Sequence, residues 1–227
     1  MTITSKMKIE KVLAAAALFT SLAMTLSACY ENQDPGPLQQ QEKEYDVAGF
    51  DRLEIGDALN VTVEQGTTFS VKVNGDRRNI DDLEVRTIGA SLRMKFNNNG
   101  RPDIRQHPTY VTIIMPVLSG VLFSGAVNST ISGFAGDKFD AELSGASKLD
   151  ITGSAGHLDA SLSGASKLYG FGFETHSADI EASGASKAEI VANESLKATA
   201  SGASRIRYRG NPTLNVYVSG ASSIGAD

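Results

Sequence analysis

The chain has 227 residues, of which 41% are hydrophobic, and its 21 basic and 26 acidic side chains give a net charge of −5. This acidic balance argues against nucleic acid as a partner. The single cysteine excludes an intramolecular disulfide, and the chain contains no tryptophan and little helical periodicity.

Residues 1–28 are predicted to be a lipoprotein signal peptide. The apolar run Val12–Leu26, 15 residues long, follows a basic start and is shorter than the roughly 20 residues that a membrane-spanning helix needs. Met7 is an alternative start. The sequence "LSAC" at 26–29 resembles the lipobox of bacterial lipoproteins, which implies cleavage before Cys29 and its modification by acyl chains such as palmitate. The alternative is an ordinary secretory peptide that exposes a lone thiol.

Residues 29–44 are predicted to be a flexible tether. This segment is polar, contains Pro35 and Pro37, and shows no apolar periodicity, so it cannot bury enough surface to fold. One folded domain is therefore expected at residues 45–227, which is long enough for a hydrophobic core.

Residues 45–118 are predicted to form short strands, because apolar and polar residues alternate there with the period of a half-buried strand. The longest polar connection lies at 96–108, and His107 within it is interpreted as an ordinary loop residue. The apolar positions of the strands are Leu53-Ile55, Leu59-Val61-Val63, Phe69-Val71-Val73, Leu83-Val85, Leu92-Met94-Phe96 and Val111-Ile113-Met115.

From residue 124 onward the chain repeats one tetrapeptide at nearly constant spacing. A variant, SGAV, stands at 124–127, and the intervals between successive copies are 20, 19, 20, 18 and 18 residues. A fixed period of this length indicates a solenoid. The five SGAS copies stand at 144–147, 163–166, 183–186, 201–204 and 219–222.

Alternating apolar positions stand before and after each SGAS, which indicates two short strands per repeat, joined on the far side by a variable turn. A unit of 18–20 residues cannot bury its apolar side alone. Stacked units bury one continuous column, with each strand parallel to its copy about 4.8 Å away. The prediction is a parallel β-helix. The alternative, a sandwich of hairpins, requires antiparallel neighbours.

The SGAS copies are predicted to stack at one corner of the solenoid. The glycines, for example Gly145 and Gly164, would allow positive φ or close backbone approach. The serines would pass hydrogen bonds from hydroxyl to hydroxyl along the column. A row of serine nucleophiles is disfavoured, because no histidine repeats at a matching spacing.

Two charged columns follow from the same stacking. Lys148, Lys167, Lys187 and Arg205 each follow an SGAS, and are interpreted either as a solvated face or as a binding stripe for anionic polysaccharide. Asp140, Asp159 and Asp179 form an acidic column that could bind a cation, although the glycine-aspartate repeat of calcium-binding β-rolls is absent.

Several segments together resemble the head GIN domain family of auto-transporter adhesins, which is common on lipoproteins of Bacteroidetes. They are "GFDRLEIGDALNVTVEQG" at 49–66, "VKVNGD" at 71–76, "SLRMKF" at 91–96, "VTIIMPVLSGVLFSGA" at 111–126 and the recurring "LSGAS". The resemblance covers about residues 45–227. It implies a right-handed β-helix similar to pectin lyases but without their catalytic residues, and a role in adhesion.

The predicted function is that of a non-enzymatic lipoprotein, an adhesion or interaction module anchored in the outer membrane of a Gram-negative envelope through Cys29. A glycan or a surface protein is the expected partner, and no catalytic residue, metal or cofactor is assigned. The alternative is a β-helix that binds or degrades polysaccharide, and an envelope-sensing partner is a third option.

The C-terminal residues 219–227 stop part-way through a coil without a polar cap. An uncapped solenoid end leaves strand edges open. We therefore expect either a homo-oligomer formed through this coil or shielding of the coil by a neighbouring loop.

Overall fold

A computed structural model describes residues 36–97 and 107–227 of the chain. The predicted signal peptide and the lipid attachment at Cys29 lie outside these ranges. Residues 37–227 form one unit. Its described residues contain sixteen strands and one short helix.

The first part of this unit contains eight strands and one short helix. They are β1 (Gln40–Tyr45), β2 (Arg52–Ile55), β3 (Leu59–Gln65), β4 (Ser70–Asp76), α1 (Arg77–Asp82), β5 (Leu83–Ile88), β6 (Ser91–Phe96), β7 (Thr109–Met115) and β8 (Gly120–Phe123).

The second part contains the repeats. Its strands are β9 (Asn128–Leu143), β10 (Lys148–Leu162), β11 (Lys167–Ala182), β12 (Lys187–Val191), β13 (Ser195–Ala200), β14 (Arg205–Arg209), β15 (Thr213–Val218) and β16 (Ser223–Ala226). The three long strands, β9, β10 and β11, each run from one SGA turn to the next and include the residues predicted as variable turns. A shift in register, between Asp150 and Thr152 in the β10–β11 pair, marks the bend inside them.

The repeats stack in parallel and in register, so the predicted β-helix is confirmed. Strands β9, β10 and β11 pair along their length, and β13 and β15 continue one side of the stack while β12, β14 and β16 continue the other. The solenoid has about five turns. The hairpin sandwich is wrong, because neighbouring repeats run in the same direction.

Inward-facing side chains form one apolar column through the stack. Leu158, Ala178 and Leu196 occupy one position on three successive coils, and each is at most 2% exposed. Burying a leucine or isoleucine in this way contributes about 1.5–3 kcal/mol. The alternation along the strands therefore holds each coil against its neighbours.

The corner column is built from one left-handed backbone position on every coil. Gly145, Gly164, Gly184, Gly202 and Gly220 have φ of 72–73°. The alanine that follows each glycine donates its N–H to the glycine carbonyl of the previous coil at 2.7 Å. Asp57 fills this position on the first coil, with φ 65°, and its carbonyl accepts from Ala126. The column therefore begins before the first SGA tripeptide.

The predicted hydroxyl-to-hydroxyl ladder is wrong. The last serine of each SGAS is buried or half-buried and donates to the carbonyl of the first serine of its own turn, as Ser166 does to Ser163 at 2.7 Å. The first serines Ser144 and Ser183 each donate to a carbonyl of the previous coil, at 3.4 and 3.3 Å. Backbone carbonyls are therefore the partners of these hydroxyls, either within the same turn or on the previous coil, as when Ser204 donates to Ala182 at 2.9 Å.

Antiparallel strands close the N-terminal end of the solenoid. β7 pairs in parallel with β3, and β4 and β1 follow it in antiparallel order, while the β5–β6 hairpin extends the other side next to β2. The predicted tether is therefore wrong for residues 40–44, which belong to β1. That strand is held through its backbone, so its polar side chains carry no apolar alternation.

Asp76 joins three segments at this end. It is 1% exposed, caps α1 through the N–H of Arg78, and accepts from the Gln39 N–H at 3.1 Å. The Arg78 guanidinium donates to both carboxylate oxygens at 2.6 and 2.7 Å. These hydrogen bonds, with that of the guanidinium foremost, hold the pKa of Asp76 well below its usual value of 3.8 despite burial.

Replacing Asp76 by asparagine is expected to lower the free energy of unfolding by about 2 kcal/mol at pH 7, because the charge-assisted bonds are lost. A carboxylate with a lowered folded pKa stabilises the protein above its unfolded pKa and loses this effect as pH falls through the folded value. The difference between the two proteins should therefore shrink below about pH 4. Urea unfolding at several pH values measures it. Asp81→Asn, at an exposed residue, is the control, and a pH-independent difference would contradict the assignment.

The C-terminal coil is open on its outer side. Leu214, Val216 and Val218 are 44–46% exposed, whereas their counterparts on the previous coil are at most 1% exposed. Among the described residues, none covers this coil, so the predicted shielding loop is not found in that part of the chain. Self-association through the coil stays a prediction.

Candidate functional site

The strands that follow the corner present a row of cations on one outward side of the solenoid. Parallel pairing joins Lys148 to Lys167, Lys167 to Lys187 and Lys187 to Arg205, which confirms the predicted column. Successive residues stand about 4.8 Å apart, so like charges repel. Their side chains point away from the core, so the packing of the core does not require four cations at these positions.

Two aromatic rings and two further arginines extend this row. The side chain of Tyr169 lies between Lys148 and Lys187, whose Nζ atoms are 5.4 and 5.1 Å from the centre of its ring. The guanidinium of Arg209 stacks on Phe171 at 3.9 Å. The basic face is defined here as Lys148, Lys167, Lys187, Arg205, Arg207 and Arg209 together with Tyr169 and Phe171.

Carboxylates neutralise only part of the basic face. Lys187 pairs with Glu189 at 2.6 Å, and Asp227 pairs with Arg207 and Arg209 at 2.8 and 2.5 Å. Lys148, Lys167 and Arg205 have no carboxylate within 4.0 Å in the described ranges. Three cations in one row therefore keep their charge available to a ligand.

The strands that precede the corner carry an acidic face on a different side. It is defined as Asp140, Glu142, Asp159, Asp179 and Glu181, and the three aspartates stack in register as predicted. Cationic side chains lie against this column: Arg52 and Lys138 contact Asp140 at 2.9 and 2.7 Å, and Lys197 contacts Asp179 at 3.2 Å.

The predicted cation site is therefore occupied by the protein's own cations. Burial alone would raise the pKa of Asp140, but the hydrogen bonds from Lys138 and Arg52 outweigh it and lower that pKa. The hydrogen bond to Asp140 in turn raises the pKa of Lys138. The groups stabilise each other's charged forms, which leaves the acidic column a poor ligand for a further ion. Within the described ranges, no three His, Cys, Asp or Glu side chains are placed to hold a metal.

A groove of about 360 Å³ runs beside these ion pairs. Gly120 lets Asp140 and Arg52 pack closely against β8, because a Cβ there would lie 2.7 Å from the Asp140 carbonyl oxygen and 3.0 Å from the Arg52 guanidinium. Arg52, Lys138 and Asp140 line the groove and are already paired with one another. The groove therefore offers a ligand less free charge than the basic face does.

The structure also pairs a serine with a histidine, which the sequence analysis missed. His157 Nδ1 lies 2.8 Å from Ser177 Oγ, on neighbouring coils, and Ser177 also reaches the Gly156 carbonyl at 3.4 Å. The two residues are 20 positions apart, which is the length of one coil, so the repeat spacing could have predicted that they lie side by side on neighbouring coils. In the described part of the chain, no carboxylate hydrogen-bonds to this histidine to orient it.

The class of protein that these features define is a β-solenoid with two charged flat faces on a continuous apolar core. The family described as "Putative auto-transporter adhesin, head GIN domain" matches residues 49–212. The chain belongs to this family, so the resemblance noted in the sequence is confirmed. None of the curated proteins matches the chain.

Solved structures share the fold at low sequence identity. A putative adhesin from Bacteroides fragilis is 20% identical, with a TM-score of 0.68, and the match covers 83% of this chain and 97% of that one. A putative adhesin from Parabacteroides distasonis is 16% identical, with a TM-score of 0.53, and the match covers 85% and 98%. At these identities the likeness supports the fold alone.

Across residues 36–97 and 107–227, no helix has the length and apolar character needed to cross a bilayer.

Proposed function

We propose that this protein is a non-enzymatic adhesion or interaction module of the cell envelope, anchored in the outer membrane by acyl chains on Cys29. The observation that carries the proposal is the in-register stack, which makes a rigid column with long flat faces suited to contact an extended partner. Membership of the family described as putative auto-transporter adhesins supports it. The "LSAC" sequence at 26–29 supports the lipid anchor.

Adhesion is tested by comparing cells that produce the full chain with cells that lack it. Attachment to glycan-coated and protein-coated surfaces should fall in the deletion strain and return on complementation. Equal attachment by both strains would contradict adhesion. Incubation of the purified chain with polyuronates tests the non-enzymatic part, because release of unsaturated or reducing ends would show degradation.

Replacing Cys29 by alanine is expected to abolish incorporation of an alkyne-labelled fatty acid and to move the protein from the membrane fraction to the soluble fraction. Several acyl chains bind a bilayer almost irreversibly, since each buried CH₂ contributes about 0.8 kcal/mol. Gel fluorescence after click labelling, together with fractionation, measures both effects. Ser27→Ala keeps a small residue before the cysteine and should retain the label. Labelling of the Cys29→Ala protein would place the lipid elsewhere.

A further inference from the structure

The two charged faces of the solenoid differ in how far their charges are neutralised. On the acidic face, Asp140 and Asp179 each contact a lysine or arginine. On the basic face, Lys148, Lys167 and Arg205 have no carboxylate within reach among the described residues. A protein with net charge −5 therefore concentrates unneutralised positive charge in one narrow row.

We propose that the basic face binds a linear anionic polysaccharide along the solenoid axis, and this inference rests on the proposed adhesion function. The row crosses four neighbouring coils from Lys148 to Arg205 and so spans about 14 Å at the usual strand spacing. A compact anion cannot contact both ends of such a row. A polymer with charges repeated along its length can contact every coil at once.

The aromatic residues favour a sugar polymer over other polyanions. Tyr169 is half-buried in the middle of the row, and the Nζ atoms of Lys148 and Lys187 lie over its ring. The exposed part of the ring gives an acidic sugar an apolar surface to contact while the carboxylate or sulfate of the sugar meets one of these ammonium groups. A membrane-binding face would instead be expected to project apolar side chains, whereas Phe171 lies beneath the Arg209 guanidinium. The acidic face and the net negative charge oppose nucleic acid.

Binding of the full-length chain to immobilised polygalacturonate and heparin tests the proposal, with neutral dextran as the blank. We expect affinity that falls as salt rises, because oppositely charged partners are screened. The double variant Lys167→Glu/Arg205→Glu should bind at least tenfold more weakly. The matched control, Lys95→Glu/Lys197→Glu, reverses two exposed lysines in the sheet that carries the acidic face and should change affinity less than twofold.

Circular dichroism and melting temperature show whether the variants fold, and both pairs lie on exposed positions. Absence of polyanion binding, or equal losses in both double variants, would overturn the assignment. Equally tight, Lys167/Arg205-dependent binding to duplex DNA or to phosphatidylglycerol vesicles would overturn the polysaccharide class. If cells with the Lys167/Arg205 variant still adhere while deletion cells do not, the adhesion function stands, but the basic face is excluded as the surface that mediates it.

Discussion

Gly184→Ala is expected to lower the free energy of unfolding by about 4 kcal/mol, near the upper end of single substitutions. An added Cβ would lie 2.5 Å from the Gly164 carbonyl oxygen, the atom that accepts the hydrogen bond from Ala185. The backbone at Gly184 also has φ +72°, where an L-residue costs about 1–2 kcal/mol. The steric cost cannot be relieved without moving two coils apart, and the backbone cost remains even then. Urea unfolding followed by circular dichroism measures the change.

Two other glycines separate these costs. Gly89 has φ +58° and no atom within 4 Å of an added Cβ, so Gly89→Ala should show the backbone cost alone, about 1 kcal/mol. Gly136 lies in β9 without positive φ, and an added Cβ would meet nothing nearer than 3.9 Å, so Gly136→Ala should have little effect. If Gly184→Ala and Gly89→Ala cost the same, the close approach of coils at the corner is unimportant.

Phe173→Ala is expected to lower the free energy of unfolding by about 3–5 kcal/mol, the usual range for a buried phenylalanine. The ring is 2% exposed, and its centre lies 5.5 Å from that of the Phe139 ring, which belongs to β9, two coils earlier. Gly153 stands in register with Phe173 and has no side chain that could fill the cavity. Thermal and chemical unfolding of the variant measure the loss.

Phe171→Ala is the matched control, because it removes the same ring from the same strand on the outward side. Its ring is half-buried under Arg209, so the loss should be about 1 kcal/mol or less. Similar losses for the two variants would mean that the core around Phe173 collapses to fill the cavity.

The sequence predicts the solenoid well because identical residues at a fixed period can stack only on their own copies. The same logic places Lys148, Lys167, Lys187 and Arg205 in one row and predicts a tight backbone approach at Gly184. It does not find Asp57, because the segment "IGDAL" at 55–59 carries no SGA tripeptide, although it aligns with SGAV once the stack is known.

Elements held by the backbone or by local geometry are harder to predict. β1 pairs with β4 through main-chain groups, so its polar side chains resemble those of a linker. The hydrogen-bond acceptor of each SGAS serine depends on the positions of individual atoms, which the spacing of the repeats does not predict. The ion pair between Lys138 and Asp140 likewise cannot be predicted from the repeat spacing, because it depends on where the two side chains lie. Only the structure shows that such pairs neutralise part of the acidic column.

The repeated amide-to-carbonyl contact at the corner has an evolutionary consequence. The same 2.7 Å hydrogen bond to the glycine carbonyl of the previous coil is donated by Ala165, Ala185, Ala203 and Ala221, so each junction between coils is interchangeable with the next. Duplication or loss of one whole coil would join surfaces that already fit. We therefore expect relatives to differ in length by complete coils, and each added coil would lengthen the basic face without a redesign of the interior.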